Sequence, residues 1–177
     1  MKRTRVLGID IDNLTVPELL RRVEKFVDQR QPRQVVYVNV DCLNQCRSDR
    51  SYRSIVQQAD LVYADGMGVV FASRIFGTPL KERVNAGDFL PDLCRFASQK
   101  GYRLYFLGGE QGVAERAAAS LQEKFPGLNV AGWHDGFFTE ADTPQLVEDI
   151  RRSGADIILV GMGVPRQEKW IRRHLND

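Results

Sequence analysis

Short apolar runs that break at glycine and restart with helical spacing recur along this chain. Leu61-Val62-Tyr63 stops at Asp65-Gly66-Met67-Gly68, Arg103 to Leu107 at Gly108-Gly109-Glu110-Gln111-Gly112, and Asp156 to Val160 at Gly161-Met162-Gly163. Strands that feed helices through tight turns, repeated in this way, belong to α/β architectures. The expected fold is a Rossmann-like, mostly parallel sheet with helices on both faces. Its Gly-rich loops lie at the strand C-terminal ends, the edge at which open α/β sheets bind ligands.

The rest of the chain fits that alternation. Arg5 to Ile11 reads as one strand. Thr15-Val16-Pro17-Glu18 reads as a capping box with proline in the first turn, and Leu19, Leu20, Val23, Phe26 and Val27 follow at helical spacing. Gln34 to Val40 reads as a strand, Asp41 to Gln58 as one polar-faced helix, and Met67 to Phe76 as a helix. Gly77 to Gly87 has no periodic pattern. Helices are expected from Asp88 to Gln99 and after Thr143-Pro144, a strand from Leu128 to Trp133, and a basic helix after Pro165.

Composition narrows the function. With 177 residues, the chain is expected to be a single catalytic domain over 1–177 with a sizeable core. It is 43% hydrophobic and 27% charged, a soluble globular profile, and its net charge of +2 is too small to imply nucleic acid. No apolar run approaches the roughly 20 residues of a spanning helix, and the first residues carry no secretory pattern. Cys42 and Cys46 would share a helix face, but no second ligand pair completes a zinc site. With Cys94 they read as packed thiols in a reducing compartment.

The three glycine loops share one physical device. A helix N-terminus offers unpaired N–H groups and partial positive charge, which suit phosphate. Gly66, Gly108, Gly109, Gly161 and Gly163 would let such a ligand approach the backbone. None of the loops matches the P-loop or the full dinucleotide pattern. Asp65, at a strand end beside two glycines, is either a helix cap or a carboxylate at the ligand-binding edge. Asn39 ends an apolar strand, where a buried amide needs partners. Arg83 lies in the aperiodic loop, and Arg166 and Gln167 open the last helix. The arginine fork suits a diphosphate, the alternative being a solvated surface charge. Of Phe137 and Phe138, one is expected in the core and the other free to stack on a flat base.

These residues carry a resemblance to the WecG/TagA/CpsF glycosyltransferases, family 26 of the sugar transferases. The matching strings are Asn39 after a strand, Ala64-Asp65-Gly66-Met67-Gly68-Val69-Val70, Glu82-Arg83-Val84-Asn85-Ala86-Gly87-Asp88, Leu107-Gly108-Gly109 through Val113-Ala114, Gly132 with Asp135-Gly136-Phe137-Phe138, and Val160-Gly161-Met162-Gly163-Val164-Pro165-Arg166-Gln167-Glu168-Lys169-Trp170-Ile171. They run in family order from about residue 5 onward, and the last string is the most specific.

The resemblance implies an inverting transferase that needs no metal or other cofactor. It would move N-acetylmannosamine or a related hexose from a UDP-sugar to an undecaprenyl-diphosphate-linked saccharide, in bacterial surface-polysaccharide or teichoic acid synthesis. By position, Asp65 would be the general base, Arg83 and Gln167 would bind the diphosphate or donor sugar, Asn39 would line the pocket, and Phe137 would sit by the uracil. Tyr37 stands where family members often carry a small hydroxyl residue. The family usually continues past the position of Asp177 with a basic appendage that contacts membrane, so a peripheral location at the inner face of the cytoplasmic membrane is implied. Homo-oligomers are a further expectation.

Two other readings compete. A nucleotide-sugar-binding domain without turnover would need no base at Asp65. Asp10-Ile11-Asp12-Asn13-Leu14-Thr15 and Gly87-Asp88-Phe89-Leu90-Pro91-Asp92 resemble the nucleophile and magnesium motifs of haloacid-dehalogenase-type phosphatases, and Asp10 with Asp12 also resembles a metal-binding pair of other sugar transferases. The second string does not follow a buried strand, as such a phosphatase requires.

Overall fold

A computed structural model describes residues 3–176. By its internal contacts the chain divides into two compact units, residues 3–90 with 164–176 and residues 91–163.

In the first unit, strands β1 (Arg3–Val6) and β2 (Ile9–Asp12) form an antiparallel hairpin. The expected single strand from Arg5 to Ile11 is therefore corrected. Leu7 and Gly8 both take positive φ, 47° and 80°, and make the two-residue turn that reverses the chain. Helix α1 (Val16–Asp28) follows, with the Glu18 carboxylate accepting from Thr15 N–H at 2.8 Å as the capping box requires.

Strand β3 (Val35–Val38) pairs in parallel with β4 (Leu61–Ala64), Val38 opposite Ala64. Between them the chain forms two helices rather than one, α2 (Val40–Ser48) and α3 (Arg50–Gln58). Asp49 makes the break. Its backbone is extended, and its carboxylate caps α3 by accepting from Ser51 and Tyr52 N–H at 2.9 and 3.0 Å. Val36, Val38, Val62 and Ala64 join Val6, Ile9, Ile11, Cys42, Tyr52 and Val56 in one buried cluster. The buried Asp12 ties β2 to β4, its Oδ2 accepting from Val62 N–H at 2.9 Å.

Helix α4 (Met67–Ile75) begins directly after β4. Gly66 holds φ at 111°, and a side chain on Gly68 would meet Val40 Cγ2 at 2.5 Å. Both positions therefore favour glycine, for backbone conformation and for packing respectively. The aperiodic segment before helix α5 (Ala86–Lys100) is stapled at several points. Asn13 donates to Pro79 O and accepts from Lys81 N–H, Leu80 N–H reaches Ser73 Oγ, Val16 N–H reaches Glu82, and Val84 N–H reaches Ala64 O at 2.9 Å. The last bond fixes Arg83 and Asn85 beside the end of β4. Helix α8 (Arg166–His174) is held by Gln34 Nε2 on Glu168 O, Lys169 on Asp49 and Arg172 on Gln58.

In the second unit, β5 (Arg103–Gly108) is the centre of a parallel three-stranded sheet, flanked by β6 (Asn129–His134) and β7 (Ile157–Gly161). Helix α6 (Val113–Lys124) connects β5 to β6, and α7 (Thr143–Ser153) precedes β7. These parallel strands with intervening helices bear out the Rossmann-like expectation. The boundary between the two units falls within α5.

All three thiols are free and buried, as expected, and burial pushes Cys46 and Cys94 up to about 11. Among the described residues no helix is long and apolar enough to cross a membrane.

Candidate functional site

The sequence-derived residues fall into two groups, one in each unit. In the first unit Asp65 occupies the residue after β4 and is half-buried. Its N–H donates to Val38 O at 2.9 Å, which sets it beside Asn39 at the end of the neighbouring strand. Asn39 caps α2, its Oδ1 accepting from Cys42 N–H at 2.9 Å. Asp65 does not cap α4, because Gly66 is the N-cap. Instead its Oδ1 accepts from Asn85 Nδ2 at 2.9 Å. Oδ2 carries no hydrogen bond among the described residues.

Tyr37 and Gln167 complete this group. The Tyr37 phenol hydrogen-bonds the Gln167 side chain and lies within electrostatic reach of Asp65. Burial raises the phenol above its ordinary value, the Cys42 thiol and the Glu168 carboxyl add to this, and the bond to Gln167 opposes it. The Tyr37 and Tyr63 rings pack at 6.4 Å. Gln167 is itself buried, although it opens a basic helix, and its Nε2 donates to Glu168 Oε1 at 2.8 Å. Glu168 is 2% exposed and its Oε2 is unpartnered, so burial pushes this carboxyl upward.

Arg83 is exposed, and its guanidinium pairs with Asp88 at 2.7 Å rather than with Asp65. Arg166 is also exposed, at the first position of α8.

The second group surrounds an open cleft of about 560 Å³ lined by Glu110, Gln111, Asp135 and Phe137. Phe137 is 72% exposed, and its backbone is fixed by Phe137 N–H donating to Asp135 Oδ1 at 2.8 Å. Phe138 is the more buried of the two and meets His134 edge-on. Gly108 and Gly161 are partners across β5 and β7, and a Cβ on Gly108 would overlap the Gly161 carbonyl. Gly109 spends its N–H on Gly161 O at 3.1 Å and its C=O on Gly136 N–H at 2.8 Å. Gly108 and Gly109 thus serve packing, a Cβ on Gly161 would meet nothing, and Gly109 has no amide left for a phosphate. The N–H groups of Gln111 and Gly112 carry no hydrogen bond among the described residues. Two carboxylates on the cleft wall suit hydroxyl and N–H donors of a nucleoside better than a second anion.

The carboxylates of the rival metal readings have other partners. Asp10 and Asp12 lie in a hairpin strand and face different partners, Arg5 at 2.7 Å and Arg3 with Val62 N–H. Asp88 sits in the first turn of α5, paired with Arg83. Among the described residues no three His, Cys, Asp or Glu side chains group as a metal site.

Sequence reasoning singled out neither Asn85 nor Glu168 as a site residue. The Asn-Ala-Gly-Asp string does hold a helix-start signal, asparagine just before the helix, which marks Asn85 as a cap.

The model of the glycosyl transferase WecG/TagA/CpsF family matches residues 4–177. The chain belongs to this family. Similar relatives include proteins of Staphylococcus aureus strains NCTC 8325 and MRSA252, each 30% identical over 174 residues, which is 97% of this chain and 68% of the relative. Both carry the name N-acetylglucosaminyldiphosphoundecaprenol N-acetyl-beta-D-mannosaminyltransferase. In this WecG/TagA/CpsF member, Asp65 thus has one carboxylate oxygen held by the Asn85 amide and one uncommitted, with Tyr37 within electrostatic reach and Gln167 bonded to Tyr37.

Proposed function

We propose that this chain is an inverting, metal-independent hexosyltransferase. It would move N-acetylmannosamine or a related hexose from a UDP-sugar to an undecaprenyl-diphosphate-linked saccharide in bacterial surface-polymer synthesis. The single observation that carries the reading is Asp65, a half-buried carboxylate held through Oδ1 with Oδ2 uncommitted. Inversion needs a base that takes the acceptor hydroxyl proton as its oxygen attacks the anomeric carbon, while the bond from that carbon to the UDP oxygen breaks. Asp65 Oδ2 would accept that proton. The leaving diphosphate gains charge, and Arg83 would stabilise it by exchanging its exposed partner Asp88 for phosphate oxygens. Gln167 and Asn39 would orient the sugar through their amides. The second unit, taken by itself, suits a uridine, with Phe137 stacking on the base and Asp135 and Glu110 accepting from ribose hydroxyls.

The names of the relatives support the lipid-linked acceptor. So does a stripe on α4 that starts two residues past Asp65. Met67, Phe71 and Ile75 recur every four residues, all exposed, with Phe76 beside them. One helix face thus leads away from the base as an apolar strip suited to a polyprenyl chain at a membrane surface.

The test is calorimetric titration of the chain with UDP and UDP-sugars in EDTA, on wild type and Arg83→Ala. Binding without metal, weakened about 10- to 100-fold by the substitution, supports the reading. Binding that requires magnesium, or that ignores Arg83, contradicts it.

A further inference from the structure

We propose that Asn85 is the positioning residue for the Asp65 carboxylate, its side-chain amide holding Oδ1 so that Oδ2 is the oxygen presented to the acceptor. This rests on the reading of Asp65 as the base.

The geometry settles which way the amide points. Asn85 Oδ1 accepts from Gly87 N–H at 3.0 Å, and Asn85 O accepts from Phe89 N–H at 2.8 Å, so the residue opens α5. A backbone N–H can only donate, so the oxygen end of the amide belongs to the helix. The NH₂ end is left facing Asp65 at 2.9 Å, and an ionised carboxylate can only accept. Flipping the amide would lose the cap and set oxygen against oxygen. The position of Asn85 is fixed independently by the neighbouring Val84 N–H on Ala64 O. One side chain therefore ties the end of β4 to the start of α5.

The choice of a neutral donor has a chemical consequence. An arginine or lysine on Asp65 would stabilise the carboxylate strongly and weaken it as a base. The cation closest in sequence to Asn85, Arg83, is engaged by Asp88 instead, and Asp65 makes no ion pair among the described residues. An amide restrains the carboxylate with a weaker, uncharged hydrogen bond. Among the described residues, the phenols of Tyr37 on β3 and Tyr63 on β4 lie within electrostatic reach of Asp65. Burial raises both above the ordinary tyrosine value, so they stay neutral while a carboxyl titrates.

Asn85→Asp separates positioning from capping. Aspartate caps a helix as well as asparagine does, so a purely structural role survives the change. At Asp65, however, an acceptor replaces the donor and a second negative charge appears. The carboxyl carbon of Asp65, identified by its disappearance in Asp65→Asn, is followed by ¹³C NMR against pH. It is expected to titrate higher in Asn85→Asp by about one pH unit or more. Turnover of UDP-N-acetylmannosamine with an N-acetylglucosaminyl-diphospho-lipid is expected to fall about 10-fold or more in kcat, its acidic limb moving up in pH while KM for the donor holds. Asn85→Ser keeps a cap and, being one bond shorter, draws the donor back out of hydrogen-bond reach of Asp65 without adding charge. It is expected to lower kcat with a smaller displacement of the limb, and it serves as the second variant should Asn85→Asp not fold. Titration and pH profiles that superimpose on wild type, with Asp65→Asn inactive, overturn the role of Asn85 alone. Full turnover by Asp65→Asn overturns the reading of Asp65 as the base, and with it the positioning of a base.

Discussion

The Gln167 amide nitrogen donates to the carboxyl of its own neighbour, Glu168, at 2.8 Å, with both side chains buried. Consecutive helix residues do not ordinarily face each other. Here both turn inward because α8 is anchored through Gln34, Lys169 and Arg172. The pair presents Gln167 to Tyr37, and through Tyr37 to the surroundings of Asp65.

That arrangement carries a stability consequence. Burial raises the Glu168 carboxyl above its unfolded value, so the folded state binds its proton more tightly than the unfolded chain does. The contribution is fully present below the ordinary glutamate range and is lost as pH rises through the raised value. Glu168→Gln keeps an acceptor for Gln167 and removes the charge. The substitution is expected to raise the melting temperature relative to wild type, with an advantage that grows from about pH 4.5 upward. Melting curves of both proteins across pH 4 to 8 check this.

Much of the fold is legible in the sequence where a signal is local. The apolar run ending in Asp65-Gly66 and the Thr15–Glu18 box both appear where their patterns place them. The Leu7-Gly8 hairpin is hidden because a leucine at φ 47° is no turn signal, and the run of apolar residues reads straight through it. The break at Asp49 is hidden because helical spacing continues on either side of one capping residue. Among the site residues, Asp65, Asn39, Arg83 and Gln167 announce themselves by placing polar groups at strand and helix ends. The links among them do not, since Asn85 reaches 20 residues back and Gln167 reaches Tyr37 across 130 positions. Nor does the sequence tell that Gly109 spends its amide internally.

Phe137 presents an exposed ring at the mouth of the second unit's cleft, fixed by the Asp135 turn. Phe137→Ala is expected to weaken uridine monophosphate binding about 5- to 100-fold, the range of one base stacked on an aromatic ring. The melting temperature should change little, because the ring is largely in solvent. Calorimetric titration with the nucleotide checks both the magnitude and the site.

Gly108 holds φ at 145° with no room before the Gly161 carbonyl. Gly108→Ala is expected to destabilise the protein by about 2 kcal/mol or more, from backbone strain and overpacking together. Denaturant unfolding measures it. A loss under about 0.5 kcal/mol would mean that β5 and β7 are free to shift apart at this point.

The account turns on Asp65 acting as the base. The most direct measurement is transfer of labelled N-acetylmannosamine from its UDP donor to an N-acetylglucosaminyl-diphospho-lipid in EDTA, comparing wild type with Asp65→Asn at matched melting temperature. The account predicts product formation by wild type without metal and a loss of about 100-fold or more in the variant. Equal rates in the two proteins, or transfer only on adding magnesium, would contradict it.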